Sequence, residues 1–105
     1  MIARLWTARA TSEGGEAYLR FFSAKLVAEL RRIEGHRGAE VYVAPHHGGV
    51  EITVVTFWES MASVGGFAGA NPEQAVVEPA ARAVLRDFDE AVRHLTLRID
   101  TRANP

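Results

Sequence analysis

The stretch ITVVTFWES, residues 52–60, is an apolar run that ends on Trp58 and then turns polar. Its β-branched and aromatic residues favour a strand, and successive side chains of a strand point to opposite faces. Ile52 and Trp58 therefore point one way and Val55 points the other way. Because both faces are apolar, we expect this strand to lie in a sheet that is covered on both sides.

The neighbouring sequence predicts three more strands. RGAEVYVAP at 37–45 is a second β-rich run, and HHGG separates it from the run at 50–58, which predicts an antiparallel hairpin. IARLWTAR at 2–9 also favours a strand. AVRHLTLRID at 91–100 alternates apolar with more polar side chains, which predicts the last strand.

Helical periodicity is clearest between residues 16 and 33. Apolar side chains recur there at spacings of three and four, at Leu19, Phe22, Leu26, Leu30 and Ile33. Shorter helical pieces are predicted after the hairpin, near 60–68, 72–77 and 79–89. Pro79 divides the last two, because it cannot donate a backbone hydrogen bond and its ring clashes with the preceding turn.

This order of elements predicts an α+β, ferredoxin-like βαββαβ fold with a four-stranded antiparallel sheet and its helices on one face. The uncovered face would leave a larger apolar patch than soluble monomers normally expose. We therefore predict a homodimer formed through that sheet face. The 105 residues fit a single domain, 1–105, in which 101–105 form a loose tail.

Composition argues against several classes of protein. Twelve basic residues face thirteen acidic ones, so no basic surface for nucleic acid or an anionic membrane is predicted. The absence of cysteine rules out disulfides, thiolate metal ligands and a cysteine nucleophile. The N-terminal run is interrupted by Arg4 and Arg9, and no run approaches the ~20 apolar residues of a membrane span. We predict a cytoplasmic protein with neither nucleic acid nor membrane as a partner.

Several of these features occur together in one known family. The strand that ends in FWES, FAG at 67–69, the proline-broken helix and the last strand carrying His94 resemble the antibiotic biosynthesis monooxygenase family of dimeric α/β-barrel proteins. The resemblance covers nearly the whole chain in order and length. It implies a dimer of ferredoxin-like subunits with a pocket between sheet and helices. Some members oxygenate polycyclic phenols there without a cofactor, and others degrade haem.

The haem-degrading branch of that family differs at its characteristic residues. Its members pair an Asn on the first strand with a His and a Trp in the second helical region. Here the first strand carries Trp6 and Thr7, no histidine occurs between residues 71 and 88, and Phe67 best matches the Trp. We therefore predict that haem is not the substrate. The resemblance to the cofactor-free members implies that no cofactor is needed.

Candidate site residues follow from the needs of cofactor-free oxygenation: an apolar pocket, a group that takes a phenol proton, and exclusion of water. The residues predicted to bind a small apolar or aromatic substrate are Trp58, Phe67, Thr7 and Phe22. His94 is the first candidate for the catalytic base, because histidine titrates near neutral pH. Glu78, at the predicted helix break, is the second.

Plainer interpretations stand beside each of these roles. Trp58 also suits a core or a dimer interface, His94 a structural hydrogen bond, and Glu78 a helix cap. His46 and His47 are adjacent, but no cysteine or nearby carboxylate completes a ligand set, so a solvated hairpin tip and no metal site is predicted.

The sequence leaves more than one class of function open. The first is a cofactor-independent monooxygenase that acts on an aromatic or polyketide-type small molecule. The second is a non-catalytic ligand-binding or regulatory dimer on the same scaffold, or an isomerase or cyclase. RNA-recognition domains share the order of elements, but the third strand lacks their basic-glycine-aromatic signature and the near-neutral charge gives no attraction for phosphate.

Overall fold

A sheet of five antiparallel strands is the framework of the molecule. The computed structural model describes residues 1–102, and its strands are β1 (Ile2–Ala10), β2 (His36–His46), β3 (Gly49–Trp58), β4 (Asp87–Phe88) and β5 (Arg93–Thr96). The order across the sheet is β2-β3-β1-β4, and β5 also pairs with β1. Because β4 lies opposite residues 8–9 and β5 opposite residues 2–5, these two short strands together occupy the place of the predicted fourth strand. The predicted ferredoxin-like α+β fold is confirmed.

The longest helical segment follows β1 directly. It consists of α1 (Ser12–Phe21), a π-helical turn (Phe22–Leu26) and α2 (Val27–Arg31), which are contiguous in the chain. Thr11 caps its start by accepting a hydrogen bond from the Gly14 backbone N–H at 2.9 Å. Two shorter helices, α3 (Met61–Ala68) and α4 (Pro79–Arg82), follow the hairpin. No helix within residues 1–102 is both long and apolar enough to span a membrane.

The predicted helix at 72–77 is wrong. The chain pairs there with a distant segment, through a bridge between Gln74 and Ala91 and a 2.8 Å hydrogen bond from the Ala75 N–H to the Glu90 carbonyl. The helix predicted for 79–89 is confined to the single turn of α4, and Pro79 begins it instead of interrupting a longer helix.

The end of the chain is also less regular than predicted. The strand expected over 91–100 is confined to β5, and β4 forms where a helix was expected. Between them the Asp89 N–H donates to the Thr7 carbonyl at 2.9 Å, and Trp6 Nε1 donates to the Asp89 carbonyl at 2.7 Å. Of the predicted loose tail, residues 103–105 lie outside the described part, and Arg102 donates to Glu40 at 2.9 Å.

The two faces of the sheet have different surroundings. Even-numbered side chains of β1 and β3 face the helices, and the core combines Ile52, Val54 and Trp58 with Tyr18, Phe22, Leu30 and Val64. Odd-numbered side chains point to the opposite side, which we call the outer face. On β1, β3 and β5 its apolar members are Ala3, Leu5, Val55, Phe57 and Leu95, which are neighbours across these strands. The face that carries Trp58 is therefore the one that meets the helices.

Candidate functional site

A cavity lies between the helix-facing side of the sheet and the long helical segment. The space open to the centre of a water-sized sphere is about 50 Å³, which is room for roughly three to five water molecules. Most of its walls are aromatic or aliphatic, among them Trp6, Phe21, Phe22, Leu26, Phe67 and Val92. The π-helical turn carries two of these side chains, Phe22 and Leu26, on its inner side.

The polar side chains that line the cavity are Arg4, Tyr18, Thr56 and Glu78. Arg4 faces the helices because it occupies an even position of β1, between Ile2 and Trp6. Tyr18 lies on α1, four residues before Phe22, and so shares its side of the helix. Glu78 is the residue immediately before α4, where the backbone is still extended. Local geometry thus brings groups from the sheet, the long helix and the following segment into one space.

Arg4 is a cation that the fold buries, with 4% of its surface exposed. Its Nη1 donates to the Pro72 carbonyl, and its Nη2 donates to the Gln74 carbonyl at 2.8 Å. Its guanidinium also lies 5.8 Å from the centre of the Phe67 ring. Burial lowers the pKa of Arg4, and Glu73 partly offsets this effect, but an arginine stays charged at physiological pH.

His94 reaches the cavity only through Arg4. The two residues are opposite each other on β5 and β1, and His94 Nε2 lies 3.0 Å from Arg4 Nη1. Because a guanidinium only donates, this geometry assigns Nε2 as the acceptor and places the proton of the neutral ring on Nδ1. Burial, and then the charge of Arg4, lower the pKa of His94. The ring is thus held neutral and oriented toward Arg4.

Tyr18 presents a different kind of polar group. Only 2% of its surface is exposed, and within residues 1–102 its hydroxyl makes no hydrogen bond. Burial raises the pKa of Tyr18, and the nearby charge of Glu78 raises it further. The hydroxyl therefore stays protonated at physiological pH and is available as a hydrogen-bond donor.

Glu78 belongs to a small charged group beside the cavity. Its Oε1 lies 3.4 Å from Lys25 Nζ, and its side chain is a quarter exposed. A hydrogen bond with Glu78 raises the pKa of Glu29, because two neighbouring carboxyl groups favour a shared proton.

The remaining predicted site residues have varied positions. Phe22 and Phe67 line the cavity. Trp58 is fully buried one layer behind Phe67, with ring centres 5.9 Å apart, and its Nε1 donates to Thr56 Oγ1 at 2.8 Å. Thr7 lies on the outer face, because it occupies an odd position of β1. The structure therefore brings Phe22, Phe67 and Glu78 to one cavity, whereas Trp58, Thr7 and His94 do not line it.

Sequence reasoning missed Arg4 and Tyr18 as site residues. A signal for Arg4 was present, since it interrupts an alternation of apolar side chains at Ile2, Trp6 and Ala8. A charged residue on the apolar face of a strand lies either at the edge of the sheet or in a polar site within the core. Tyr18 precedes Phe22 by one helical turn and extends the apolar stripe with a hydroxyl group.

The paired histidines lie at the hairpin turn, far along the chain from these residues. The rings of His46 and His47 are 4.4 Å apart and meet edge to face. Over the described range, 1–102, no three His, Asp or Glu side chains are grouped so as to hold a metal ion.

Comparison with known proteins identifies the fold. No family model matches the sequence, and no curated protein matches it. A Bacillus cereus protein provisionally named an antibiotic biosynthesis monooxygenase superposes with a TM-score of 0.63 at 16% identity, over 95% of this chain and 97% of that one. Rv0793 from Mycobacterium tuberculosis superposes with a TM-score of 0.59 at 16% identity, over 95% and 97% of the two chains. The resemblance predicted from the sequence is thus confirmed for the fold.

Proposed function

We propose that this chain is a homodimeric enzyme that oxidises a small aromatic or polyketide-type molecule with O₂ and without a cofactor. The observation that carries the proposal is a cavity with aromatic and aliphatic walls that also contains a buried cation and an unpaired phenolic hydroxyl. The fold that this chain shares with a protein provisionally named an antibiotic biosynthesis monooxygenase supports the same reaction class.

The chemistry of such a reaction needs little from the protein. When a phenol is oxidised to a quinone, one atom of O₂ becomes the new carbonyl oxygen, and the other leaves as water with the two hydrogens that the substrate loses. The substrate itself supplies all four electrons. The protein has to accept the phenol proton, stabilise the electron-rich anion and keep bulk water away. Arg4 suits the second task, and the aromatic walls suit the third.

The proton acceptor has two predicted candidates. Glu78 lines the cavity and has Lys25 and Glu29 beside it. His94 has its Nε2 engaged by Arg4 and does not line the cavity. We therefore assign Glu78 as the proton acceptor and His94 as the residue that positions Arg4. Trp58 keeps Phe67 in place from behind.

The test of this proposal is oxygen uptake by the purified protein with a panel of phenols and hydroquinones. Glu78→Gln is expected to lower turnover at least a hundredfold, within the range that general base catalysis contributes. Lys25→Met is the matched control, because it breaks the same ion pair and leaves the carboxylate in place. Equal loss in the two variants, or full activity of Glu78→Gln, would reject Glu78 as the base.

The proposed homodimer forms through the outer face. Ala3, Leu5, Val55, Phe57 and Leu95 give that face an apolar centre, and a second copy of the same face would bury it. Arg9, which pairs with Asp89 at 2.8 Å and with Asp87, gives the patch a charged rim at one end. The cytoplasmic location predicted from the sequence stays a prediction.

A second candidate is a non-catalytic ligand-binding or regulatory dimer. It stands because the same scaffold can bind a ligand without turnover. For either candidate the cavity of about 50 Å³ is small beside typical ligand pockets of ~300–1,000 Å³. A single ring fits such a space better than a polycyclic substrate does. Tight binding of small aromatic molecules without oxygen uptake would support this candidate, and conversion without oxygen uptake would support an isomerase or cyclase.

A further inference from the structure

Arg4 has hydrogen-bonding capacity that the protein does not use. A guanidinium carries five N–H groups. Three of them are directed at the Pro72 carbonyl, the Gln74 carbonyl and His94 Nε2. The Nε–H and one Nη2–H have no acceptor among residues 1–102. No carboxylate in this part of the chain forms an ion pair with Arg4, although Glu73 is close enough to affect its pKa.

Two groups without a hydrogen bond belong to residues that line the cavity. Over residues 1–102, Nδ1 of His36 is the one enclosed side-chain nitrogen or oxygen atom that lacks a hydrogen bond. The Arg4 Nε and the Tyr18 hydroxyl also lack one, yet they are not enclosed. Both residues are almost wholly buried, and both line the cavity.

A buried charge without a partner is costly, and buried charges in proteins are normally paired. The two carbonyls and His94 compensate the Arg4 charge only in part, because all three acceptors are neutral. An anion in the cavity would complete the pairing. Glu78 is the one carboxylate among the lining residues, and it is already paired with Lys25.

We propose that the cavity binds a small, single-ring aromatic anion, whose phenolate or carboxylate oxygen pairs with Arg4. This inference rests on the proposed function, since it names the substrate class for the same cavity. Tyr18 lines the same cavity, so its unpaired hydroxyl is the donor for a second oxygen of the ligand. Arg4 selects the anion and Tyr18 selects the second oxygen.

The experiment compares matched anionic and neutral ligands by isothermal titration calorimetry. One pair is benzoate and benzamide, and the other is 4-nitrophenolate and 4-nitroanisole, so the two arms separate carboxylates from phenolates. We expect at least one anion to bind ten times more tightly than its neutral partner. The bound nitrophenol should also ionise at a lower pH than the free one, which its absorbance reports.

Variants of Arg4 and Tyr18 test which residue causes the preference for anionic over neutral ligands. In Arg4→Met the ratio of anion to neutral affinity should fall to about one, and in Arg4→Lys it should be reduced. Tyr18→Phe should leave that ratio unchanged and abolish any advantage of 4-hydroxybenzoate over benzoate. If Arg4→Met does not fold, the wild-type ratios and Arg4→Lys still decide.

Equal binding of anions and neutral partners by the wild-type protein would overturn the inference, and so would an anion preference that survives in a folded Arg4→Met variant. Failure of the proposed function is a separate result. Anion-selective binding without oxygen uptake would reject the proposed oxidation and leave the anion site standing. Oxygen uptake by a protein that binds anions and neutral partners equally well would support the oxidation and reject the anion site.

Discussion

Arg4 has two tasks at one position. Its bonds to the carbonyls of Pro72 and Gln74 fix a segment that has no regular secondary structure, and the residue itself lines the cavity with two N–H groups unpaired. An apolar residue would fit the alternation of β1 but would leave those two carbonyls without their donor. The same side chain therefore links the wall of the cavity to its binding chemistry.

His94 gives this arrangement a pH dependence. The pKa of His94 lies below its ordinary value of 6.5 in the folded chain, so the unfolded chain takes up the proton more readily. The contribution of the neutral His94 ring to the free energy of unfolding should therefore be complete above about pH 6.5. It should decrease as the pH falls below that value. Protonation would also place a second cation 3.0 Å from Arg4 Nη1.

We predict that His94→Gln makes urea unfolding less dependent on pH between about pH 7.5 and 5, because the amide oxygen still accepts from Arg4 but does not titrate. His36, whose pKa is also lowered by burial, should account for part of the remaining slope. His36→Gln is the matched control. An unchanged slope in His94→Gln would contradict a lowered pKa of His94 in the folded chain.

At the scale of elements, local signals predicted local structure. The hairpin of β2 and β3 and the long helical segment follow from turn residues and apolar spacing that lie within each stretch. The segment 72–77 did not follow, because its backbone partners, Arg4 and Glu90, are distant in sequence. For the same reason the sequence indicated Phe22, Phe67 and Glu78 as site residues but not Arg4, whose role depends on that distant pairing.

The close approach of β3 to the end of β1 also explains why residue 49 is a glycine. A Cβ atom on Gly49, at the start of β3, would lie 2.3 Å from the Ala10 carbonyl oxygen, and this backbone atom cannot rotate away. We predict that Gly49→Ala lowers the free energy of unfolding by ~1–3 kcal/mol, the usual cost of overpacking. Gly65→Ala in α3, where a Cβ meets nothing within 4 Å, should instead raise it by up to ~1 kcal/mol. Chemical denaturation measures both, and equal effects of the two variants would contradict the packing argument.

For the whole molecule, the central structural prediction is the dimer. The wild-type chain should sediment at twice its 11.5 kDa mass at micromolar concentration. Val55→Arg, which places a charge in the apolar centre of the outer face, should give a folded monomer, because burying an unpaired charge is costly. Ala24→Arg, at an exposed position of the π-helical turn, should remain dimeric. A monomeric wild-type chain would contradict the prediction.

The molecule as a whole combines a fold that it shares with two solved structures and a cavity lined by side chains of its own. Similarity at 16% identity identifies the scaffold, and the function has to come from side chains. Those side chains are an aromatic wall, a cation without a counter-charge and an unpaired hydroxyl. Together they suit an electron-rich aromatic anion more than a neutral apolar ligand.

The most direct test of the central claim is oxygen consumption by the purified wild-type protein, after treatment with a chelator, with single-ring phenols and hydroquinones. For a phenol we expect one O₂ to be consumed for each quinone formed, at a rate that Glu78→Gln lowers at least a hundredfold. The absence of oxygen uptake across a panel of ligands that bind in the cavity would contradict it.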